Sequence, residues 1–151
     1  MIVVTGAGAN EVSGAVQGLP VNVARNERWQ SGQASSICKG LEACPANTGS
    51  AVFLLANQPQ IPPGVLSGLV ESHAAGLSPI VAPLVQGNRR GNPVLFDRVT
   101  FEALSRLSGE DGGRAIFSQF RVEYLPWNDE RLLLDVDTGA DYKHLKETYG
   151  E

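Results

Sequence analysis

Ala51-Val52-Phe53-Leu54-Leu55 runs directly into Ala56-Asn57-Gln58-Pro59, and this join decides how the chain is read. Five apolar residues without a polar break form a strand covered on both faces, the kind found at the centre of a parallel sheet. The polar stop marks the strand's carboxyl end, where α/β folds place their ligands. Working outward, Ile2–Thr5 is a second β-branched run, stopped by Gly6-Ala7-Gly8, and Val21-Asn22-Val23-Ala24 is a weaker third. Pro79–Leu84, Val94-Leu95-Phe96, Val122–Leu125 and Leu132–Leu134 complete the predicted strands. Helical spacing fills the intervals. Ile37, Leu41 and Cys44 share one face after Gln33, and Leu66, Leu69, Val70 and His73 share another after Pro62-Pro63. Phe101, Leu104 and Leu107 lead to Gly109, Ile116 and Phe117 sit on a short helical piece, and Asp141–Thr148 closes the chain as a helix. The alternation predicts a three-layer α/β fold with a mostly parallel sheet, in a single domain over residues 1–151.

Composition narrows the function classes. Of 151 residues, 42% are hydrophobic and 19% charged, enough apolar surface for a core, which excludes disordered and collagen-like chains. Asp and Glu outnumber Lys and Arg by 16 to 12, and no basic stretch exceeds Arg89-Arg90, so duplex nucleic acid is not the expected partner. Every apolar run falls short of the roughly 20 residues that span a bilayer. The opening Met1-Ile2-Val3-Val4-Thr5-Gly6 has no basic lead of the kind that begins a signal peptide. Cys38 and Cys44 fall within one helical segment, with no further Cys or His at metal spacing, and read as reduced thiols of a cytoplasmic protein.

Polar clusters at the strand ends carry the candidate chemistry. Asp135 and Asp137 are two residues apart after Leu132-Leu133-Leu134, so in extended chain their carboxylates share one face. Such a pair suits Mg²⁺, a hard cation that takes one or two carboxylates together with phosphate oxygens and water. The same segment also fits a capping box, with Thr138 and Asp141 three apart, and the two readings are compatible. Asn57 reads either as a turn-former before Gln58-Pro59 or as an amide ligand. Gly32-Gln33-Ala34-Ser35-Ser36 opens a helix whose free N–H groups and hydroxyls suit an anion or the polar edge of a base; the alternative is a serine N-cap, Ser31 or a neighbour. Gly91-Asn92-Pro93 is a turn, Arg114 follows Gly112-Gly113 as an exposed cation, and His73 on an apolar face reads as a core histidine.

Taken in order, the segments resemble a known family. Trp29-x-x-Gly32, Ser35-Ser36-Ile37-x-x-Gly40-Leu41, Leu54-Leu55-Ala56-Asn57-Gln58-Pro59, Arg90-Gly91-Asn92-Pro93-Val94-Leu95-Phe96, Gly109-Glu110-Asp111-Gly112-Gly113-Arg114 and Asp135-Val136-Asp137-Thr138 are similar to the motifs of the MobA-like nucleotidyltransferases. The resemblance is closest to the molybdenum cofactor cytidylyltransferase branch. It implies a Rossmann-like fold and transfer of a nucleoside monophosphate from an NTP, CTP rather than GTP, to a molybdopterin-type phosphate, with release of pyrophosphate. It also implies that Gly32, Ser35 and Ser36 lie at the nucleotide, that Asn57 and Asp137, with Asp135, hold Mg²⁺, and that Gly91 and Asn92 line the acceptor side. Asp137 and Arg114 are then the catalytic candidates, Arg114 as a neutraliser of phosphate charge.

Two features depart from the family pattern. Asn57 stands where the family usually has Asp, and the family's first strand with its glycine-rich Leu-Ala-Ala-Gly-x-Ser-x-Arg-Met-Gly loop and following lysine has no counterpart before Ile2. That strand belongs between Ile2–Thr5 and Ala51–Leu55. Without it the expectation is that these two strands close up directly, that a second copy of the chain pairs with the open edges as a homodimer, or that the natural protein is longer. Two functions follow: a Mg²⁺-dependent nucleotidyltransferase, or a catalytically inactive remnant that serves as a binding or interaction module.

Overall fold

The computed structural model describes residues 1–150, which form two compact units. The first unit joins Met1–Gly49 to Val99–Phe120, and the second joins Ser50–Arg98 to Arg121–Glu151.

In the first unit Ile2–Thr5 (β1) runs parallel to Asn22–Arg25 (β2), with Ile2 opposite Asn22 and Thr5 opposite Arg25. Between them Gly8, at φ 66°, turns the chain into the helix Ala9–Ala15 (α1). Glycine takes this left-handed conformation without the Cβ clash that other residues meet. Gln33–Glu42 (α2) follows. After an excursion through the second unit, the chain returns as Phe101–Ser105 (α4) and the 3-10 segment Gly113–Gln119. Ala24, Ala34, Leu104 and Ile116 are buried here.

The second unit contains Ser50–Phe53 (β3), the helix Pro63–Gly76 (α3), Ile80–Val85 (β4), the two-residue strand Arg89–Arg90 (β5), Val94–Asp97 (β6), Val122–Trp127 (β7) and the helix Gly139–Tyr149 (α5). Its sheet has the order β3-β6-β4-β5, with β7 also on β4. β4 is the central strand: Ile80, Val81, Ala82 and Val85 are fully buried, and Val65 and Leu69 of α3 belong to the same core clusters. Full burial of both faces is what a continuous Ile-Val-Ala-Pro-Leu-Val run requires. Among the described residues no helix is long and apolar enough to cross a membrane.

The α/β class holds, but the sheets are mixed rather than mostly parallel. β1–β2 and β4–β7 pair in parallel, whereas β3–β6, β6–β4 and β4–β5 are antiparallel. The reason lies between β4 and β6, where Gln86 to Pro93 connects the strands without a helix. A parallel crossover needs about a dozen residues or more, so this short link reverses the chain. β3 is consequently at the end of the sheet, not at its centre, and all four of its residues are only partly buried. Among the described residues β1 takes only β2, and β3 takes only β6, as strand partner. Leu132–Leu134 is not a strand either. Glu130–Leu133 is a 3-10 turn started by Asp129, whose side chain accepts the Arg131 N–H and pairs with the Arg131 guanidinium. Val70, predicted on the inner face of α3, is 52% exposed, and Val65 and Leu69 form that face.

Candidate functional site

In the first unit the start of α2 is closed by backbone. Gly32 precedes the helix at φ 102°, with no side-chain cap. A Cβ on Gly32 would lie 2.1 Å from the carbonyl oxygen of Gly109, so only glycine fits. The close approach lets Gly109 O accept the Ala34 N–H at 3.1 Å. Helix N-termini leave such N–H groups without intrahelical partners, and the predicted serine cap is replaced here by a carbonyl from a segment 75 residues downstream of Ala34. Gly112 is less constrained: a Cβ there would meet Gln33 Oε1 at 2.8 Å, the movable end of a side chain.

Ser35 and Ser36 share a partner that sequence reasoning missed. Asn26, only 3% exposed, donates from Nδ2 to Ser35 Oγ at 2.8 Å and to Ser36 Oγ at 3.1 Å. Its Oδ1 accepts the Arg28 N–H, and its own N–H is bonded to Thr5 O at the end of β1. The Ser35 hydroxyl donates to Gly32 O at 2.8 Å and reaches Arg28 O at 3.0 Å. Ser36 accepts from Asn26 and, among the described residues, donates its own proton to no acceptor, which leaves it a hydroxyl donor at the head of the helix. The only signal for Asn26 in the sequence is its place just past a strand and before two serines. Arg114 lies on the 3-10 segment of this unit and is exposed. A cavity of about 590 Å³ beside α2 and α4 is lined by Arg28, Ser35, Cys38, Phe101 and Ser105 among others. Cys38 and Cys44 are both free thiols.

In the second unit the residues after β3 are stapled to the segment before α5. Val136 N–H donates to Asn57 O at 2.7 Å. Asn57 Nδ2 donates to Asp137 Oδ1 and Gln58 Nε2 to Asp135 Oδ1, each at 2.8 Å. Gln60 Nε2 donates to the carbonyls of Arg131 and Leu134 at 2.9 and 2.7 Å. Consecutive amides thus meet alternate carboxylates, and the predicted grouping of Asn57, Asp135 and Asp137 is present. Gly91 and Asn92 adjoin the same segment. Asn92 N–H bonds to Leu132 O, and a Cβ on buried Gly91 would meet Leu132 Cβ at 3.0 Å. The capping box also forms: Thr138 Oγ1 accepts the Asp141 N–H, and the Asp141 carboxylate accepts the N–H groups of Thr138 and Asp137. These bonds, that of the Thr138 hydroxyl foremost, hold the Asp141 carboxyl below the usual range.

His73, expected in the core from its apolar helix face, is only half-buried on α3, with Nε2 2.8 Å from Asp97 Oδ2. Nearby, Glu123 accepts hydroxyls from Ser72 and Ser78 at 2.5 and 2.6 Å, and these two bonds lower its pKa.

The Asn57–Asp137 region fits a hard divalent cation in donor chemistry. Its side chains offer oxygen, and Gln58 Oε1 is buried without a hydrogen-bond partner, an unsatisfied acceptor on the amide that holds Asp135. Among the described residues no three His, Cys, Asp or Glu side chains converge as a metal cage.

Comparison with known proteins gives the scaffold a context. The sequence profile of the MobA-like NTP transferase domain matches residues 1–124. Nicotine blue oxidoreductase of Paenarthrobacter nicotinovorans is 29% identical over 147 residues, 91% of this chain and 71% of that protein. The crystal structure of Rv0371c from Mycobacterium tuberculosis superposes with a TM-score of 0.80 at 27% identity, covering 97% of this chain and 75% of that one. A complex of Rv0371c with manganese gives 0.76 at 26%, with coverages of 97% and 77%. Molybdopterin-guanine dinucleotide biosynthesis protein A from Archaeoglobus fulgidus, 18% identical at a TM-score of 0.67 over 97% of this chain and 76% of that one, shares the fold.

Proposed function

The chain belongs to the MobA-like NTP transferase family, and on that premise we propose that it is a nucleotidyltransferase joining a nucleoside monophosphate, from CTP in preference to GTP, to a molybdopterin-type phosphate. A phosphate oxygen of the acceptor attacks the α-phosphorus of the NTP, the bond to the bridging oxygen of the β-phosphate breaks, and pyrophosphate leaves with that electron pair. Gly32, Ser35 and Ser36 serve the nucleobase within the first unit, with the Ser36 proton as donor. Asn57, Asp137 and Asp135 form the cation region of the second unit, Gly91 and Asn92 serve the acceptor, and Arg114 supplies positive charge to phosphate. When bound, Mg²⁺ neutralises charge on the triphosphate oxygens and on the departing pyrophosphate.

The observation that carries this reading is the seating of Asp137 by Asn57, in a loop stapled at four further points, on a scaffold of transferase type. Fixed positioning is the main thing such a transfer asks of a protein. Isothermal titration with CTP and with GTP, each with Mg²⁺, tests it. The expected result is Mg²⁺-dependent CTP binding that is lost in Asp137→Ala, followed by acceptor-dependent pyrophosphate release. No heat from either nucleotide with a folded chain overturns it and leaves the inactive binding module.

The identity to a relative named as an oxidoreductase supports a second reading, in which the same scaffold serves a redox reaction. Nucleotide-dependent pyrophosphate release separates the two, because a redox reaction produces none.

A further inference from the structure

The two long faces of α3 differ in what covers them. Val65 and Leu69 are fully buried, in core clusters shared with Val85 and Val81 of β4. On the other side Pro63, Ser67, Val70 and Ala74 follow one another at i, i+4, i+7 and i+11, flanked by Glu71 and Ala75, and all are exposed. The outward face of a surface helix is ordinarily charged, yet Glu71 is the only Asp, Glu, Lys or Arg among the 14 residues of α3. The apolar surface continues past the helix end. Leu77 is held at φ 45° and ψ 37°, a left-handed conformation that leucine rarely takes, and it is 72% exposed. Exposed Arg121 stands at this same end, where its Nη2 donates to Gly76 O at 2.9 Å.

We propose that this face of α3 binds the same face of a second copy of the chain, the two helices running antiparallel about a two-fold axis beside Ala74. The proposal does not depend on the transferase reading. Charge decides both the occupant and the register. In a two-fold interface a residue three positions before the axis meets one three positions after it. Glu71 of one copy then lies opposite Leu77 of the other, next to the Arg121 guanidinium. Glu71 has no hydrogen bond or ion pair among the described residues. Arg121 keeps guanidinium donors beyond the one on Gly76 O, and its neighbour Glu123 is already satisfied by the hydroxyls of Ser72 and Ser78. The surface thus carries its own complement, and symmetry forms the pair twice. An axis at Val70 or Glu71 would instead bring the two Glu71 carboxylates together, a juxtaposition that interfaces avoid. Alanine at the crossing lets the helices approach closely, and Val70 of each copy falls beside Leu77 of the other.

Sedimentation equilibrium of the full chain over a range of concentrations tests it, with circular dichroism as the check on folding. The expected result is a monomer–dimer equilibrium that Ala74→Glu weakens at least about a hundredfold, since it places two carboxylates on the axis. Glu71→Arg is expected to weaken it about tenfold by facing Arg121 with a like charge, and adding Arg121→Glu to that variant is expected to restore it. A folded wild type that stays monomeric up to about 1 mM overturns the proposal and leaves the face to a different partner. So does a dimer that Ala74→Glu or Glu71→Arg leaves intact, because its copies are then joined elsewhere, as by the open edge of a strand. If the doubly reversed chain does not fold, Ala74→Glu and Glu71→Arg, both at exposed helix positions, still decide.

Discussion

Gly32 and Gly109 approach so closely that a Cβ on the first would overlap the carbonyl of the second, and this contact gives the Ala34 N–H its partner. Gly32→Ala therefore meets a steric clash with backbone, a φ of 102° unsuited to alanine and the loss of the helix cap together. The expected destabilisation is about 1–3 kcal/mol or more, read as a lowered urea midpoint. Gly14→Ala is the control. It lies in α1 with nothing within 4 Å and an ordinary φ, and is expected to stabilise by up to about 1 kcal/mol.

Asn26 divides two serines into different roles. Asn26→Ala leaves the Arg28 N–H and both hydroxyls short of a partner and is expected to cost about 1–3 kcal/mol, measured by chemical denaturation. Ser36→Ala removes the donor at the head of α2, and Ser35→Ala removes a hydroxyl whose proton is already spent on carbonyls. Calorimetric CTP affinity is expected to fall more in Ser36→Ala, by roughly tenfold for one lost hydrogen bond. Equal losses in the two variants would contradict the division.

Gln60 holds the chain ahead of Asp137 without touching it, through the carbonyls of Arg131 and Leu134. Gln60→Ala is expected to cost about 1–3 kcal/mol by orphaning these acceptors. It should also weaken Mg²⁺-dependent CTP binding, because Asp137 loses part of its support. Thermal melts and isothermal titration read the two effects separately.

Glu123 makes a pH prediction with a definite sign. The hydroxyls of Ser72 and Ser78, aided by Arg121 and His73, hold its carboxyl below the usual 4.5. A folded-state pKa below the unfolded value contributes stability at higher pH, which is lost as pH falls through the folded pKa. Wild type is therefore expected to lose stability below about pH 4.5 more steeply than Glu123→Gln, which has no proton to take up. Parallel urea titrations between neutral and acid pH measure the difference in slope.

The local rules were legible where they act over a few residues. The capping box of Thr138 and Asp141 forms as its spacing implies, and Gly8 makes the turn after β1. Eighty residues separate Asn57 from Asp137, and their grouping was legible only through the polar clusters at strand ends and the family resemblance. Strand order was harder. An apolar run such as Ala51–Leu55 shows that a strand avoids water, not which strands flank it, and β3 lies at the end of its sheet while β4 takes the centre. The polar link from Gln86 to Pro93, too short for a crossover, did carry the information that β6 runs backwards. Leu132-Leu133-Leu134 misled because a 3-10 turn also buries Leu132, through sharp reversal instead of alternation. Asn26 left no pattern at all: a lone amide becomes informative only once folding brings two hydroxyls to it.

The route of the chain through its two units has a consequence for biosynthesis. Residues 1–49 leave the ribosome long before residues 99–120, yet both belong to the first unit. Until Gly109 emerges, the Ala34 N–H has no carbonyl to accept it, and the head of α2 stays frayed in a nascent chain. The hairpin-like link between β4 and β6 needs no such wait and can form while the tunnel still holds the rest. Synthesis from the N-terminus thus does not impose its own order on folding, and a polypeptide released early, before Phe120, carries an incomplete first unit for chaperones or proteases to meet.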